Sequence, residues 1–339
     1  MLIIIIVGCI SLILTWLLTR NNAVIRILDQ PNTRSLHTIP TPRTGGVAIL
    51  IALTFGYSLV RITTNFSDYT IDFIAVGIAI LGIISLWEDA YGLSIYLRLL
   101  FHCCTAALLI IASLTIHELR IGNWYTSLPN WLDLSFTFIF TVWFINLYNF
   151  MDGIDGLAGG MAVIGFGTLA IFGWYANTNN FVLINSMIAI ATAGFLVWNF
   201  PPARIFMGDS GSTVLGFLAA AMSLWGNHVK VFDLWMAILI FSPFIVDATV
   251  TLLRRLIAKE KIWQPHRTHY YQRLVSSGLG HFSVTVSMYL LMLACAATAL
   301  IASHLSPTKH LWLITLWIIL YGSLIAYIEI WLIQRQLKT

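Results

Sequence analysis

The sequence is short of charge. Lys, Arg, Asp and Glu make up 9% of its 339 residues, against about a quarter in a soluble domain. So few charges cannot cover a surface that meets water everywhere, which excludes a soluble globular enzyme. Thiol chemistry is scarce too. Cys9, Cys103, Cys104 and Cys295 all lie inside apolar runs, with no CxxC pair and no Cys/His metal spacing. Neither a disulfide framework nor a zinc site is expected. The opening stretch MLIIIIVGCISLILTWLL lacks a basic region and a small-residue cleavage site, and reads as a retained first span. What is present is apolar: 59% hydrophobic residues and a mean hydropathy of +0.86 make this a polytopic membrane protein.

A helix needs roughly 20 apolar residues to cross the hydrocarbon core. Eleven candidate spans follow, at about 2–18, 45–60, 71–87, 98–116, 134–150, 158–175, 181–198, 211–226, 234–253, 282–303 and 310–333. The expected fold is all-α, a single membrane-embedded domain over residues 1–339. With the N-terminus outside, all of the 18 Lys and Arg residues except Arg61, Arg120, Lys230 and Lys309 fall on the inner face. That asymmetry sets the N-terminus out and the C-terminus in the cytoplasm.

The same topology gathers the unusual polar motifs on the cytoplasmic face. In NFMDGIDGLAGG (149–160), Asp152 and Asp155 are three residues apart, and Asn149 lies one turn back. All three share a face if the helix continues. Gly153 and Gly156 leave room for a ligand or another backbone. Acids at a helix C-terminus are repelled by its dipole, a conflict that a bound cation or donor-rich ligand relieves; solvated acids at a span end are the plainer reading. In WNFPPARIFMGDSGS (198–212), two prolines stop one span, and Gly208, Asp209 and Ser210 open the next. The residues suit an ordinary cap, or a carboxylate beside free N–H groups that hold a metal-bound phosphate. SLWEDAYG (85–92) ends the third span with Glu88 and Asp89. PHRTHYYQR carries His266, Arg267 and His269, a phosphate-facing loop or simply a basic connector. Asp247 is the main mid-span charge, set after Pro243, and reads as a cleft residue or a polar group at a kink. Divalent Mg²⁺ is commonly held by one or two carboxylates plus substrate phosphates, which this layout supplies.

In order, DQPNTRSLH (29–37), TPRTGG (41–46), the acidic pair, NFMDGIDGLAGG, NFPPARIFMGDSGS and HRTH (266–269) cover most of the chain. So arranged, the chain resembles the polyprenyl-phosphate N-acetylhexosamine-1-phosphate transferases of glycosyltransferase family 4. These include the peptidoglycan phospho-sugar-pentapeptide translocase and the GlcNAc-1-phosphate transferases of O-antigen and teichoic acid synthesis. The resemblance implies a reaction in the bacterial inner membrane: undecaprenyl phosphate attacks the β-phosphate of a UDP-N-acetylhexosamine with Mg²⁺, or Mn²⁺ in its place, releasing UMP. It implies Asp209 as metal ligand. Asn149, Asp152 and Asp155 are implied as the NxxDxxD segment that binds nucleotide and assembles the site. Asn199 and Phe206 fall near the uridine. His266 and His269, with Arg267 between them, meet the diphosphate or sugar. Glu88, Asp89, Asp152 and Asp155 become the candidate catalytic carboxylates, with Glu88 where the family usually has a first aspartate. The histidine loop is sparser than the translocase's, which favours the O-antigen or capsule branch. Relatives suggest a homodimer, and no nucleic-acid partner is expected.

Two other classes stand against this reading. A transporter would show midplane charges and internal repeats; the spans here are nearly free of charge, and no repeat is evident. A CDP-alcohol phosphotransferase would gather several acids in one compact motif, which the chain lacks.

Overall fold

A computed structural model describes residues 1–31, 36–63, 69–261 and 266–336. Arg34 and Lys338 of the charge asymmetry, and parts of the DQPNTRSLH and PHRTHYYQR motifs, lie outside these residues. Among the described residues, twelve α-helices follow one another: α1 (Leu2–Leu18), α2 (Gly45–Thr63), α3 (Tyr69–Tyr91), α4 (Ile95–Ile111), α5 (Asn130–Phe150), α6 (Leu157–Tyr175), α7 (Asn179–Asn199), α8 (Asp209–His228), α9 (Leu234–Ile257), α10 (Tyr270–Ser276), α11 (His281–Ala302) and α12 (His310–Gln336). Two small antiparallel ladders interrupt the all-α expectation. β1 (Leu28–Asp29) pairs with β2 (Thr41–Pro42), and β3 (Glu118–Ile121) with β4 (Trp124–Ser127).

Among the described residues, eight helices are long and apolar enough to cross a membrane: α2, α3, α5, α6, α7, α9, α11 and the stretch Pro307–Arg335, which takes in all of α12 but its last residue. α1 and α4 are shorter apolar helices of 17 residues each. The expected span 98–116 is corrected by the fold. α4 stops at Ile111, and Ser113 takes a positive φ of 60° that turns the chain toward the β3–β4 hairpin.

α8 sits in the middle. Every residue from Ser210 to Gly226 is buried, and α3 and α5 pack along it, with α2, α6 and α9 closing the ring. Its Gly, Ala and Ser content lets neighbours come close, as small residues do between membrane helices. A helix buried on all sides presents no outer polar face, and most polar residues of α8 stand at its two ends, 209–213 and 227–228. The outer helices do the reverse. α12 leaves Trp312, Ile318, Tyr327 and Ile330 exposed, the surface a helix offers to lipid.

Candidate functional site

One end of the bundle collects the polar turns. α5 stops at Phe150, and Met151 closes it. The chain turns through 151–156, and Gly156, at φ +76°, starts α6. Asp152 and Asp155 therefore stand in a turn rather than on a continued helix face. The left-handed backbone at Gly156 is one that only glycine adopts without strain.

Both glycines stand against other parts of the protein. A Cβ on Gly153 would overlap the Tyr271 hydroxyl and lie 3.0 Å from its Cζ. A Cβ on Gly156 would meet Pro201 and Tyr289, each at 3.2 Å. Tyr271 donates its hydroxyl to the Phe150 carbonyl at 2.8 Å. Burial, then Asp247 and Asp152, push its pKa well above the usual tyrosine range, so it remains a donor.

Asp209 opens α8, but the cap comes from elsewhere. Asp89 of α3 accepts from the Asp209 N–H and the Ser210 N–H, each at 3.0 Å, one with each carboxylate oxygen. Arg43 stands behind it: Nη2 donates to the Asp89 carbonyl at 2.6 Å, and Nε lies 3.4 Å from Oδ1. Asp209 is thereby left to face outward. Asn149 Nδ2 donates to Asp209 Oδ1 at 3.1 Å and to Ser212 Oγ at 2.9 Å. Arg98 bridges Asp209 (3.5 Å) and Glu88 (3.4 Å).

Two adjoining cavities meet at Asp209, His266 and Gln272, which line both. The first, about 310 Å³, is lined by Asp89, Asp152, Asp155, Asn199, Phe206 and Arg267, with Arg43, His37 and His281 beside them. The second, about 320 Å³, has a polar end of Glu88, Arg98, Asn149 and His269 and an apolar wall of Leu81, Ile84, Ile95 and Leu99. The adjacent acids Glu88 and Asp89 thus open onto different cavities. Every candidate residue lines one cavity or the other.

Their states differ. Asp155 accepts from the Ala203 N–H at 3.0 Å and pairs with His281 Nδ1 at 3.1 Å. Asn199 is spent on backbone, donating to the Ile205 carbonyl and accepting from the Gly156 N–H. Phe206 meets the His37 ring edge at 4.9 Å. The Asp152 carboxylate has no ion pair among the described residues. It keeps some surface open to the first cavity yet lies deep among protein atoms. Burial, then Asp209 and Asp89, raise its pKa well above the carboxylate range. Arg43, Arg98, Gln272 and His281 were not singled out as site residues from the sequence. A basic residue in an inner loop carries no signal of its own beyond topology.

His266 is held down at a pKa of about 4, first by burial and then by His269 and Arg255. It is therefore neutral at pH 7 in the substrate-free protein. A diphosphate bound beside it, as the family resemblance implies, would favour the charged ring and so be accompanied by proton uptake below the ordinary histidine range. Calorimetry of UDP binding at pH 6 in buffers of different ionisation enthalpy should show proton uptake that is reduced in His266→Gln. Equal uptake in both proteins places the diphosphate away from this ring.

Fold and site together define an integral membrane enzyme whose acids and bases meet in paired cavities at one end of the helices. The glycosyl transferase family 4 model matches residues 71–227. A probable undecaprenyl-phosphate N-acetylglucosaminyl 1-phosphate transferase of Bacillus subtilis is 29% identical over 93% of this chain and 88% of its own length. A decaprenyl-phosphate N-acetylglucosaminephosphotransferase of Mycobacterium leprae is 30% identical over 77% of this chain and 73% of its own. An undecaprenyl-phosphate alpha-N-acetylglucosaminyl 1-phosphate transferase of Escherichia coli is 25% identical over 92% and 86%. The chain belongs to glycosyl transferase family 4, in its branch of polyprenyl-phosphate N-acetylglucosamine-1-phosphate transferases.

Proposed function

We propose that the protein transfers N-acetylhexosamine-1-phosphate from a UDP-sugar to undecaprenyl phosphate, with release of UMP, as the first step of an O-antigen or similar envelope glycan. The names of the relatives favour N-acetylglucosamine as the sugar. The observation that carries this reading is the meeting of two cavities of different character at one carboxylate. The first, lined mainly by charged and polar side chains with Leu36, Ile154 and Phe206 among them, suits a nucleotide diphosphate. The second pairs a polar end with an apolar wall, which suits a phosphate on a lipid chain. We place this end on the cytoplasmic side, with eleven spans and the N-terminus outside, because the basic residues crowd there.

The residues fit a divalent cation. Asp209 faces outward, and Asp152 stands beside Asp209 and Asp89, where burial and those charges hold its proton on, a proton that a bound cation would displace. Among the described residues, no three His, Cys, Asp or Glu side chains form a closed metal cage. Mg²⁺ keeps substrate phosphates and water among its ligands, so one or two carboxylates suffice to hold it. Asp209 and Asp152 would hold it, and it would neutralise charge on the diphosphate. Around it, Arg98 holds Asp209 and Glu88 together. Asp89 fixes the start of α8, and Asn149 orients the Asp209 carboxylate. Glu88 faces the acceptor-side cavity. A phosphate monoester has a second pKa near 6, so positioning at neutral pH outweighs any need for a base.

Purified protein with undecaprenyl phosphate, a panel of UDP-N-acetylhexosamines and Mg²⁺ tests the proposal. Metal-dependent UMP release with formation of lipid-linked diphosphosugar supports it. No turnover with any UDP-sugar removes it.

A further inference from the structure

Asp247 stands in α9 four residues after Pro243 and is 6% exposed. Its carboxylate does not line either cavity. It reaches across to the loop that leads into α10, and it accepts four hydrogen bonds. Oδ1 takes the Tyr270 N–H at 2.9 Å, the Thr251 hydroxyl at 3.2 Å and His269 Nδ1 at 3.2 Å. Oδ2 takes the Tyr271 N–H at 3.1 Å. Residues 269–271 thus hang on one side chain from another helix. A buried carboxylate left without such donors costs several kcal/mol, so the fold supplies it with donors from the site loop.

The contact decides which face of His269 is usable. A carboxylate only accepts, so Nδ1 carries the proton. Nε2 is then the ring nitrogen left for the cavity that His269 lines with Glu88, Asn149 and Asp209. The ring is clamped as well: His266 stacks on it at 5.0 Å, Tyr271 at 5.8 Å, and Phe150 lies 6.0 Å away. A histidine 4% exposed, with one nitrogen tied and its faces covered, has little freedom to reorient.

We propose that Asp247 is a positioning residue for the transfer reaction, holding His269 so that Nε2 meets the phosphoryl group from the second cavity. This rests on the proposed function. Its test is a double-mutant cycle in the purified full-length protein, using Asp247→Asn, His269→Ala and the pair. The readouts are kcat and KM for UDP-N-acetylglucosamine and the melting curve in detergent. Asp247→Asn should lower kcat by about 10- to 100-fold, the scale on which misplacement of a reacting group acts, with donor KM nearly unchanged. The pair should be no slower than His269→Ala alone, because both changes remove the same contribution. If the asparagine variant melts early, Asp247→Glu keeps the charge and acceptors while shifting them, and the cycle is run with it. Losses that multiply in the pair, or wild-type kcat in the Asp247 variant, overturn the proposal. Absence of UMP release by the wild-type protein overturns the parent reading instead.

Discussion

Asp209→Asn lowers UMP release by about 10²-fold or more at saturating Mg²⁺, equal to about 2.7 kcal/mol of transition-state stabilisation. The expectation comes from how the carboxylate is held. Asn149 and Arg98 grip its two oxygens from different sides, and the helix it opens is capped by Asp89 rather than by itself. The Asp209 side chain therefore carries little of the fold. The melting curve of the asparagine variant should stay close to that of the wild type. Asp89→Asn is the contrasting case. It weakens one of two hydrogen bonds to buried backbone N–H groups and the pairing with Arg43, so it should cost about 1–3 kcal/mol of stability along with activity. Near-normal turnover of Asp209→Asn would remove it from the metal site. Loss of fold in that variant would make it structural instead.

Gly153→Val should all but abolish turnover, and the cause should be traceable to one tyrosine. The added side chain overlaps the Tyr271 hydroxyl, which is buried and bonded to the Phe150 carbonyl. Tyr271 follows His269 by two residues, so displacing it moves the loop that lines both cavities. The smaller Gly153→Ala should lose activity for the same reason. Adding Tyr271→Phe removes the overlapping atom and leaves the ring carbon at 3.0 Å, a contact that a small shift relieves. Gly153→Ala/Tyr271→Phe should therefore recover much of what Gly153→Ala loses, measured against Tyr271→Phe alone. No recovery would mean that the glycine serves a ligand approaching from the open side of the cavity, as the sequence suggested.

The two glycines show where sequence reading stops. Gly153 and Gly156 beside two acids signal a close approach, and a close approach is what the structure holds. The partners are Tyr271, Tyr289 and Pro201, residues more than 40 positions away whose arrival no local pattern announces. Asp89 is similar. As half of an acidic pair it invites a catalytic reading. Only the packing of α3 on α8 turns both of its oxygens to the backbone of Asp209 and Ser210.

Composition and the spacing of apolar runs settled by themselves that this is a polytopic membrane protein, because so apolar a chain has no other solvent that suits it. The positions of most helices follow from the same cause, and the ordered motifs carried the family. The tertiary structure decided what each acid touches. A carboxylate's role depends on which donors reach it, and those donors come from distant parts of the chain: Arg98 for Glu88 and Asp209, Arg43 for Asp89, His281 for Asp155 and the α10 backbone for Asp247. Span length and hydropathy are local properties, legible residue by residue. The meeting of two cavities at one carboxylate is a property of how the helices pack, and it exists only once they have done so.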